Sequence, residues 1–509
     1  LSSTTVGRIA LAAALALAVI GVLVRAAIFI RYGPAFFDSD QAIVGLMAKH
    51  LSEGRGFPLF FYGQNYMLGV EAWMAAPCFW IGGATVAMLR TPLVLINVAV
   101  AVTTILIFVR RGVGPWPALA LSLPLVATTP LVSAELMTTL GASIEPLLYV
   151  YVLWALRRRA AIFAAVFAIA CLHREFVVLT LPAIVLALWL ERRVWRGRQW
   201  AIAAAVAAAV WVAIDILKWH TPTLGPASGP PIAGAGDTSS LVDEARVIGG
   251  WLSIEWSGYA ARVWSLIANG LPDFFGAHRY PLADVSLDDA LTAGSVWAGA
   301  ALAAACGLGA VRLIQALART RTADPGLHRE DVRSRLALPV YLGAIAVETI
   351  LVYGLNVGID PRAEFVARYV LFVLFAPVAL LGAWLLVERS RAWRTAGASL
   401  VAVWALLTIG DNVRWLAKLA VTPRPSEFRE LATDLISHGV HYGRAQYWDA
   451  YVVTFLSRER VILASTDKVR IGEYQTIVDA HAADAVTIVR VPCDTGRRVA
   501  SWCIVPPPR

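Results

Sequence analysis

Apolar runs of about 20 residues recur along most of this chain, each long enough to cross a hydrocarbon core of roughly 30 Å as a helix. They fall near residues 8–30, 85–109, 115–130, 138–156, 160–173, 175–190, 200–217, 290–311, 336–355, 369–387 and 395–415. The third, fifth and sixth are short, so their ends are soft. The residues between the runs cannot supply a soluble surface: only 16% of the 509 residues are charged and 58% are hydrophobic, whereas a soluble domain carries roughly a quarter charged residues. The pattern predicts an all-α polytopic membrane bundle of about eleven transmembrane helices. Val6–Ile30 is long enough to span and lacks a small-residue cleavage site, so it reads as the first helix.

Basic residues set the orientation, because positive flanks stay on the cytoplasmic side. Every second loop is rich in arginine: Arg110 and Arg111, Arg157 to Arg159, Arg192 to Arg198, six between Arg312 and Arg335, then Arg389, Arg391 and Arg394. The longer alternate loops carry fewer. Residues 31–84, 218–290 and the tail after about 420 are therefore expected outside the cytoplasm. The net charge of +9 is then a topology signal and no argument for nucleic-acid binding. Residues 1–420 read as the transmembrane domain and 421–509 as a small extracytoplasmic α/β domain.

The first external loop shows a helical pattern over Asp40–Leu51, an aromatic strand-like stretch over Phe57–Tyr62 and an amphipathic stretch over Met67–Trp80 interrupted by Pro77. Its Trp73, Phe79 and Trp80 suit a segment lying at headgroup level. The second opens with the Pro/Gly-rich Thr221–Gly236, which cannot be helical, and then shows helical spacing over Leu241–Leu271. In the tail, helices are expected at Ser426–His438 and near Glu473–Ala482, and strands at Arg460–Ala464 and Ala485–Val491. At under ninety residues this unit has a small core and needs the membrane domain to lean on. Cys78, Cys171 and Cys306 read as small buried hydrophobes. Cys493 and Cys503 flank a turn-like stretch where an oxidising compartment would permit a disulfide.

Two carboxylates, Asp38 and Asp40, sit where the first helix emerges. Such a pair could serve as a general base or hold a divalent cation; equally, either could simply cap the following helix. Arg25 lies inside the first helix, where a charge is costly unless paired. His173 and Arg174 break two apolar runs, and Arg368 and Tyr369 open the tenth helix. Their shared depth suits a lipid-borne phosphate, for which arginine is the best geometric match, although interfacial snorkelling or an Arg174–Glu175 ion pair would look the same. Glu71 shares the loop with the Asp pair. Glu135 and Glu145 also lie near membrane segments, and Glu348, mid-helix, is expected to pair within the bundle. The tryptophans read as packing and interface anchors, with no cofactor assigned.

The order of these features resembles the GT-C class of integral membrane glycosyltransferases, relatives of protein O-mannosyltransferases and of the aminoarabinose transferase acting on lipid A. The stretches that carry the resemblance are Arg25 with Phe37-Asp-Ser-Asp-Gln41; Leu51-Ser-Glu-Gly-Arg-Gly56 with Tyr62-Gly-Gln-Asn-Tyr66 and Glu71-Ala-Trp73; Leu89-Arg-Thr-Pro92; Ala367-Arg-Tyr-Val370; and, in the tail, Tyr447-Trp-Asp-Ala-Tyr451 through Val461. The resemblance implies transfer of a sugar from a polyprenyl-phosphate donor to a glycan, lipid or protein acceptor at the outer face of the cytoplasmic membrane. Asp40 falls at the family's acidic position, and this chain has Asp40-Gln41 where members often carry Asp-Glu, with Asp38 as the alternative acid. Arg174 and Arg368 would face the departing phosphate, and inversion at the anomeric carbon would follow from the in-line arrangement. The competing reading is a secondary transporter or lipid flippase, but the large external loops and the lack of a visible repeat argue against it.

Overall fold

In the computed structural model, the described residues are 5–64, 67–140, 144–220, 256, 258–277, 292–322, 327–355, 366–492 and 496–507. Thr221–Gly236 and most of the second loop's expected helical stretch lie outside them, and what is described there is helical, a helix over Tyr259–Ser265 continued by a π-helical turn over Leu266–Gly270 and a short α-helix over Leu271–Phe274.

Helices dominate. The first part of the chain runs through α1 (Thr5–Arg31), α2 (Ser39–Ser52), α3 (Val70–Gly82), α4 (Val86–Arg110), α5 (Pro115–Val126), α6 (Pro130–Glu135), α7 (Glu145–Leu156), α8 (Ala160–His173), α9 (Thr180–Leu190) and α10 (Gly197–His220). After the Tyr259–Ser265 helix, α11, come α12 (Thr292–Thr322), α13 (Leu327–Leu355), a 3₁₀ segment over Ala367–Leu374 leading into α14 (Phe375–Val387), and α15 (Arg391–Val421). Among the described residues, seven helical stretches are long and apolar enough to cross a membrane: Thr5–Arg31, Val86–Arg110, Gly197–Lys218, Trp297–Ala318, Val332–Leu355, Ala367–Val387 and Arg391–Val421. The other four expected spans coincide with shorter apolar helices, Pro115–Val126, Glu145–Leu156, Ala160–His173 and Glu175–Leu190. The chain is a multi-pass membrane protein.

Lipid offers no hydrophobic drive between helices, so close approach and hydrogen bonds must hold the bundle. Both are present. α1 packs on α4, α5 and α15, and α14 packs between α12 and α13. Gly397 on α15 accepts the Trp384 ring of α14, where a Cβ would lie only 2.2 Å from a ring carbon. The Tyr341 hydroxyl donates to the Val150 carbonyl at 2.9 Å, tying α13 to α7.

The basic loops converge at the end of the bundle where α4 finishes. Glu191 accepts from Arg157 at 2.8 Å and from Arg158 at 3.2 Å. The Arg157 guanidinium lies 3.9 Å, and that of Arg111 5.3 Å, from the Trp154 ring centre. The segment carrying Asp38, Asp40 and Gln41 lies at the other end of α4, beside Arg90.

The C-terminal part is a small α/β unit. Helices α16 (Glu427–Ser437), α17 (Tyr447–Leu456) and α18 (Gly472–Ala480) accompany strands β1 (Tyr442–Ala445), β2 (Ile462–Ser465), β3 (Val486–Arg490), β4 (Arg497–Val499) and β5 (Trp502–Val505). The sheet order is β2-β1-β3-β5-β4, parallel from β2 to β3 and antiparallel from β3 to β4. The two helices and two strands read from sequence lie within a residue or two of α16, α18, β2 and β3. Missed were β1, α17 and the β4–β5 hairpin. Cys503, buried on β5, is disulfide-bonded; its expected partner Cys493 lies outside the described residues. Cys78, Cys171 and Cys306 are free thiols.

Three expectations about the first loop change. The helix α3 runs straight through Pro77, which forfeits one backbone hydrogen bond without breaking the helix. Phe57–Tyr62 forms no strand, only an isolated bridge between Phe60 and Leu68. The loop also does not face headgroups alone. Phe37, Ala42, Leu46, Met47 and Phe79 share one buried core with Tyr447, Tyr451, Phe455 and Tyr474 of the C-terminal unit. α2 and α17 meet closely at Gly45, since a Cβ there would lie 2.5 Å from the Phe455 ring.

Candidate active site

Asp38 and Asp40 are separated by what their oxygens touch. Asp38 caps α2: one oxygen accepts from the Gln41 backbone N–H at 2.9 Å and the other from the Gln41 side-chain amide at 3.0 Å. Burial pushes its carboxyl upward, while the two Gln41 hydrogen bonds pull the other way. The Gln41 carbonyl oxygen in turn accepts from Arg90 at 2.8 Å, and Arg90 also reaches the Phe29 and Phe36 carbonyls. Asp38 is thus committed to shaping the start of α2, the capping role that its sequence position allowed.

Asp40, one residue into the helix, is half-buried and accepts at Oδ1 from the Tyr447 hydroxyl. Oδ2 makes no hydrogen bond among the described residues. A carboxylate with one oxygen held and the other available has the form expected of a general base. Asp38 Oδ1 and Oδ2 accept from Gln41 and Asp40 Oδ1 accepts from Tyr447, which leaves Asp40 Oδ2 as the oxygen of the pair without a hydrogen bond among the described residues.

A second group surrounds Arg174. It pairs with Glu71, not with the adjacent Glu175, both partners being almost fully buried. The other Glu71 oxygen accepts from the Leu140 N–H at 2.9 Å. Leu140 holds a left-handed backbone, φ 63°, a conformation costly for a side-chain-bearing residue and found where surrounding structure enforces it. Arg174 also lies 3.1 Å from the Met67 sulfur. Beside it, ligand atoms of Glu71, Glu145 and His173 lie within 4.8 Å of one another. His173 Nδ1 meets the Tyr149 hydroxyl at 3.0 Å, and its buried Nε2 has no hydrogen-bond partner among the described residues. Two carboxylates and one imidazole are a donor set that a divalent cation could use, in competition with Arg174 for Glu71. This trio is a metal-compatible cluster among the described residues.

A third group joins the first two. Glu135, at the end of α6, feels the charges of both Arg368 and Asp38, and its carboxyl is pushed up to about 7, by burial first of all, with Asp38 adding to that rise and Arg368 opposing it. Arg368 is exposed, lies 4.9 Å from the Tyr369 ring centre and donates to the Tyr369 hydroxyl at 3.1 Å. Tyr369 in turn touches Phe176, two residues beyond Arg174, at 5.9 Å. The segment from Glu135 to Leu140 therefore links Asp38 and Arg368 on one side with Glu71 and Arg174 on the other.

Arg25 stands apart from this belt. It is buried among α1, α4 and α5, its Nη2 donating to Asn97 and to the Leu125 carbonyl at 3.2 Å while Nε and Nη1 have no hydrogen-bond partner among the described residues. Glu348 was expected to be paired, yet its Oε2 has no partner among the described residues. Arg90 and Tyr447 lay within the stretches that carry the resemblance and Glu135 was noted as an acid near a membrane segment, but their contacts with Gln41 and Asp40 and the burial of Glu135 are seen only in three dimensions.

Fold and site together define a multi-pass membrane protein whose acids and arginines gather where the helix bundle meets a small C-terminal α/β unit. The structure is similar to that of ArnT from Cupriavidus metallidurans bound to undecaprenyl phosphate, at 13% identity and a TM-score of 0.43, covering 99% of this chain and 98% of that one. It is also similar to the apo state of the same protein, at 14% identity and a TM-score of 0.39, covering 94% and 93%. No protein-family model and no curated protein matches the sequence. Identities and TM-scores this low leave the chain's own residues as the basis for its function.

Proposed function

We propose that this protein is an integral membrane glycosyltransferase that moves a sugar from a polyprenyl-phosphate carrier to an acceptor hydroxyl at the outer face of the cytoplasmic membrane. The observation that carries the reading is the half-buried Asp40 carboxylate, with Oδ1 held by Tyr447 and Oδ2 making no hydrogen bond among the described residues. Asp40 takes the acceptor's proton through Oδ2 as the acceptor oxygen bonds to the anomeric carbon. The bond from that carbon to the phosphate oxygen breaks, and the phosphate leaves with the electron pair. Arg368 stabilises the growing charge, since fixed cations help most where charge develops. Tyr369 holds the Arg368 guanidinium by hydrogen bond and ring contact. Arg174, already neutralised in part by Glu71, contributes less charge to the donor.

The bilayer supplies the donor, and the acceptor is a glycan, a lipid or a protein. In this reading residues 421–509 form an extracytoplasmic domain, and the arginine-rich loops lie on the cytoplasmic side.

The test is transfer of radiolabelled sugar from the polyprenyl-phosphate pool in membranes of a deletion strain complemented with the full chain. Wild type restores transfer, Asp40→Asn abolishes it at equal expression, and Arg368→Ala raises the donor concentration needed for half-maximal rate. Transfer by Asp40→Asn at the wild-type rate rejects Asp40 as the base, and no transfer by wild type rejects the reading.

A further inference from the structure

The contact between Asp40 and Tyr447 joins residues 407 positions apart. It crosses from the first loop to the C-terminal unit.

Tyr447 begins α17 and is 2% exposed. Its backbone is held at both ends. The Tyr447 N–H donates to Asp467 Oδ1 at 2.6 Å, and its carbonyl accepts from the Ser39 hydroxyl at 2.6 Å. Ser39 immediately precedes Asp40. Two adjacent residues of the first loop are therefore bound to one residue of the C-terminal unit, one through the main chain and one through the phenol. The ring packs edge-on against Tyr451 at 5.5 Å, and the Lys468 ammonium lies 4.9 Å from its centre. A side chain confined on this many sides loses little further freedom when its hydroxyl makes a hydrogen bond, so the bond is geometrically selective. Burial, and then the Asp40 charge, raise the phenol's pKa, so it stays protonated and acts as the donor.

Docking alone does not require this hydroxyl. The two parts already share an aromatic core around Phe455 and Tyr474, and an ion cluster around Glu459. The phenol adds direction instead: by occupying Oδ1, it turns Oδ2 of the same carboxylate into the only one available to accept a proton.

Building on the glycosyltransferase reading, we propose that the C-terminal unit completes the active site, with Tyr447 as the positioning residue that aims the Asp40 carboxylate at the acceptor hydroxyl. The unit is then no passive appendage. Catalysis requires it to be seated, because the base is oriented from the far end of the chain.

Tyr447→Phe removes the hydroxyl while keeping the ring, the Ser39 contact and the Asp467 contact. In the membrane transfer assay it is expected to lower the rate at saturating donor about tenfold, corresponding to the loss of one charge-assisted hydrogen bond of roughly 1.4 kcal/mol. The donor concentration for half-maximal rate should stay within twofold of wild type, since nothing that touches the donor has changed. Limited proteolysis should give the wild-type fragment pattern. Asp40→Glu places the carboxylate out of register, so adding Tyr447→Phe to it should cost less than twofold, a coupling that two independent sites would not show. The inference is overturned by Tyr447→Phe transferring at the wild-type rate, by a proteolytic pattern showing the C-terminal unit released, or by full additivity with Asp40→Glu. An inactive wild type would instead remove the glycosyltransferase reading itself, a result distinguishable from an active wild type matched by Tyr447→Phe.

Discussion

Glu459 of the C-terminal unit reaches into the first loop and meets His50, its Oε1 lying 3.1 Å from the imidazole Nε2. The same carboxylate accepts from Lys49 at 2.5 Å, from Arg55 at 2.9 Å and from the Tyr474 hydroxyl at 2.8 Å. His50 is fully buried and the Glu459 side chain is 8% exposed, so the cluster works in a region where water screens charge weakly. It sits on a tight turn, with both Arg458 and Glu459 at positive φ.

Replacing Glu459 by Gln keeps the Tyr474 contact and removes the charge that three basic groups face. A loss of about 1–3 kcal/mol is expected, read as a lower thermal midpoint of the purified protein and faster proteolysis near residues 456–470. Unchanged stability would mean that the aromatic core alone seats the C-terminal unit.

The cluster also predicts a response to acid. Burial by itself would raise the Glu459 carboxyl, but hydrogen bonds and charges from His50, Lys49 and Arg55 outweigh it and leave the group far below the usual carboxylate range. A depressed carboxyl contributes stability that is complete above its unfolded value of roughly 4.3 and is lost as pH falls towards the folded value. Wild type should therefore lose stability between about pH 5 and pH 3 more steeply than Glu459→Gln. Parallel pH curves for the two would refute this.

Glu135 behaves in the opposite sense. Its folded value of about 7 lies above the unfolded carboxylate value, so the folded state binds the extra proton and is relatively stabilised in acid. Stability falls as pH rises towards 7 and the folded group must ionise. Glu135→Gln, which imitates the protonated form, should be more stable than wild type at pH 8 and closer to it at pH 5. Equal melting temperatures across that range would contradict the placement of Glu135.

Arg174→Ala strands a Glu71 carboxylate that is 5% exposed. Removing one member of such a pair typically costs about 3–5 kcal/mol, whereas replacing both with neutral groups costs far less. The double variant Glu71→Gln/Arg174→Gln should thus be better folded in detergent than Arg174→Ala alone, as measured by size-exclusion recovery after heating. A double variant no better than the single one would show that Arg174 is needed for another reason.

Asp38 and Asp40 should part company in mutagenesis. Asparagine caps helices about as well as aspartate, so Asp38→Asn should keep both fold and transfer, while Asp38→Ala loses roughly 1 kcal/mol of stability with the cap. Asp40→Asn should be folded and inactive. Loss of transfer in Asp38→Asn at normal expression would assign the base to Asp38 instead.

Local pattern alone was enough to determine the membrane class, because each apolar run has only lipid or other helices to face, and the seven long spans follow directly from it. The same reasoning reached α2, α3, α16 and α18, whose periodicity or caps lie within a few consecutive residues. It also put Asp38, Asp40, Arg174 and Arg368 on one short roster of candidates. Their division of labour was a tertiary matter. Asp38 finds its partner locally, in Gln41 three residues on, whereas the partner of Asp40 is Tyr447, 407 residues away. Nothing local pairs Arg174 with Glu71, 103 residues away, in preference to its neighbour Glu175. Hydrogen bonds and ion pairs act over a few ångströms of space whatever their separation along the chain, so the partners of Asp40 and Arg174 were decided only when the first loop closed on the C-terminal unit and on the end of α8.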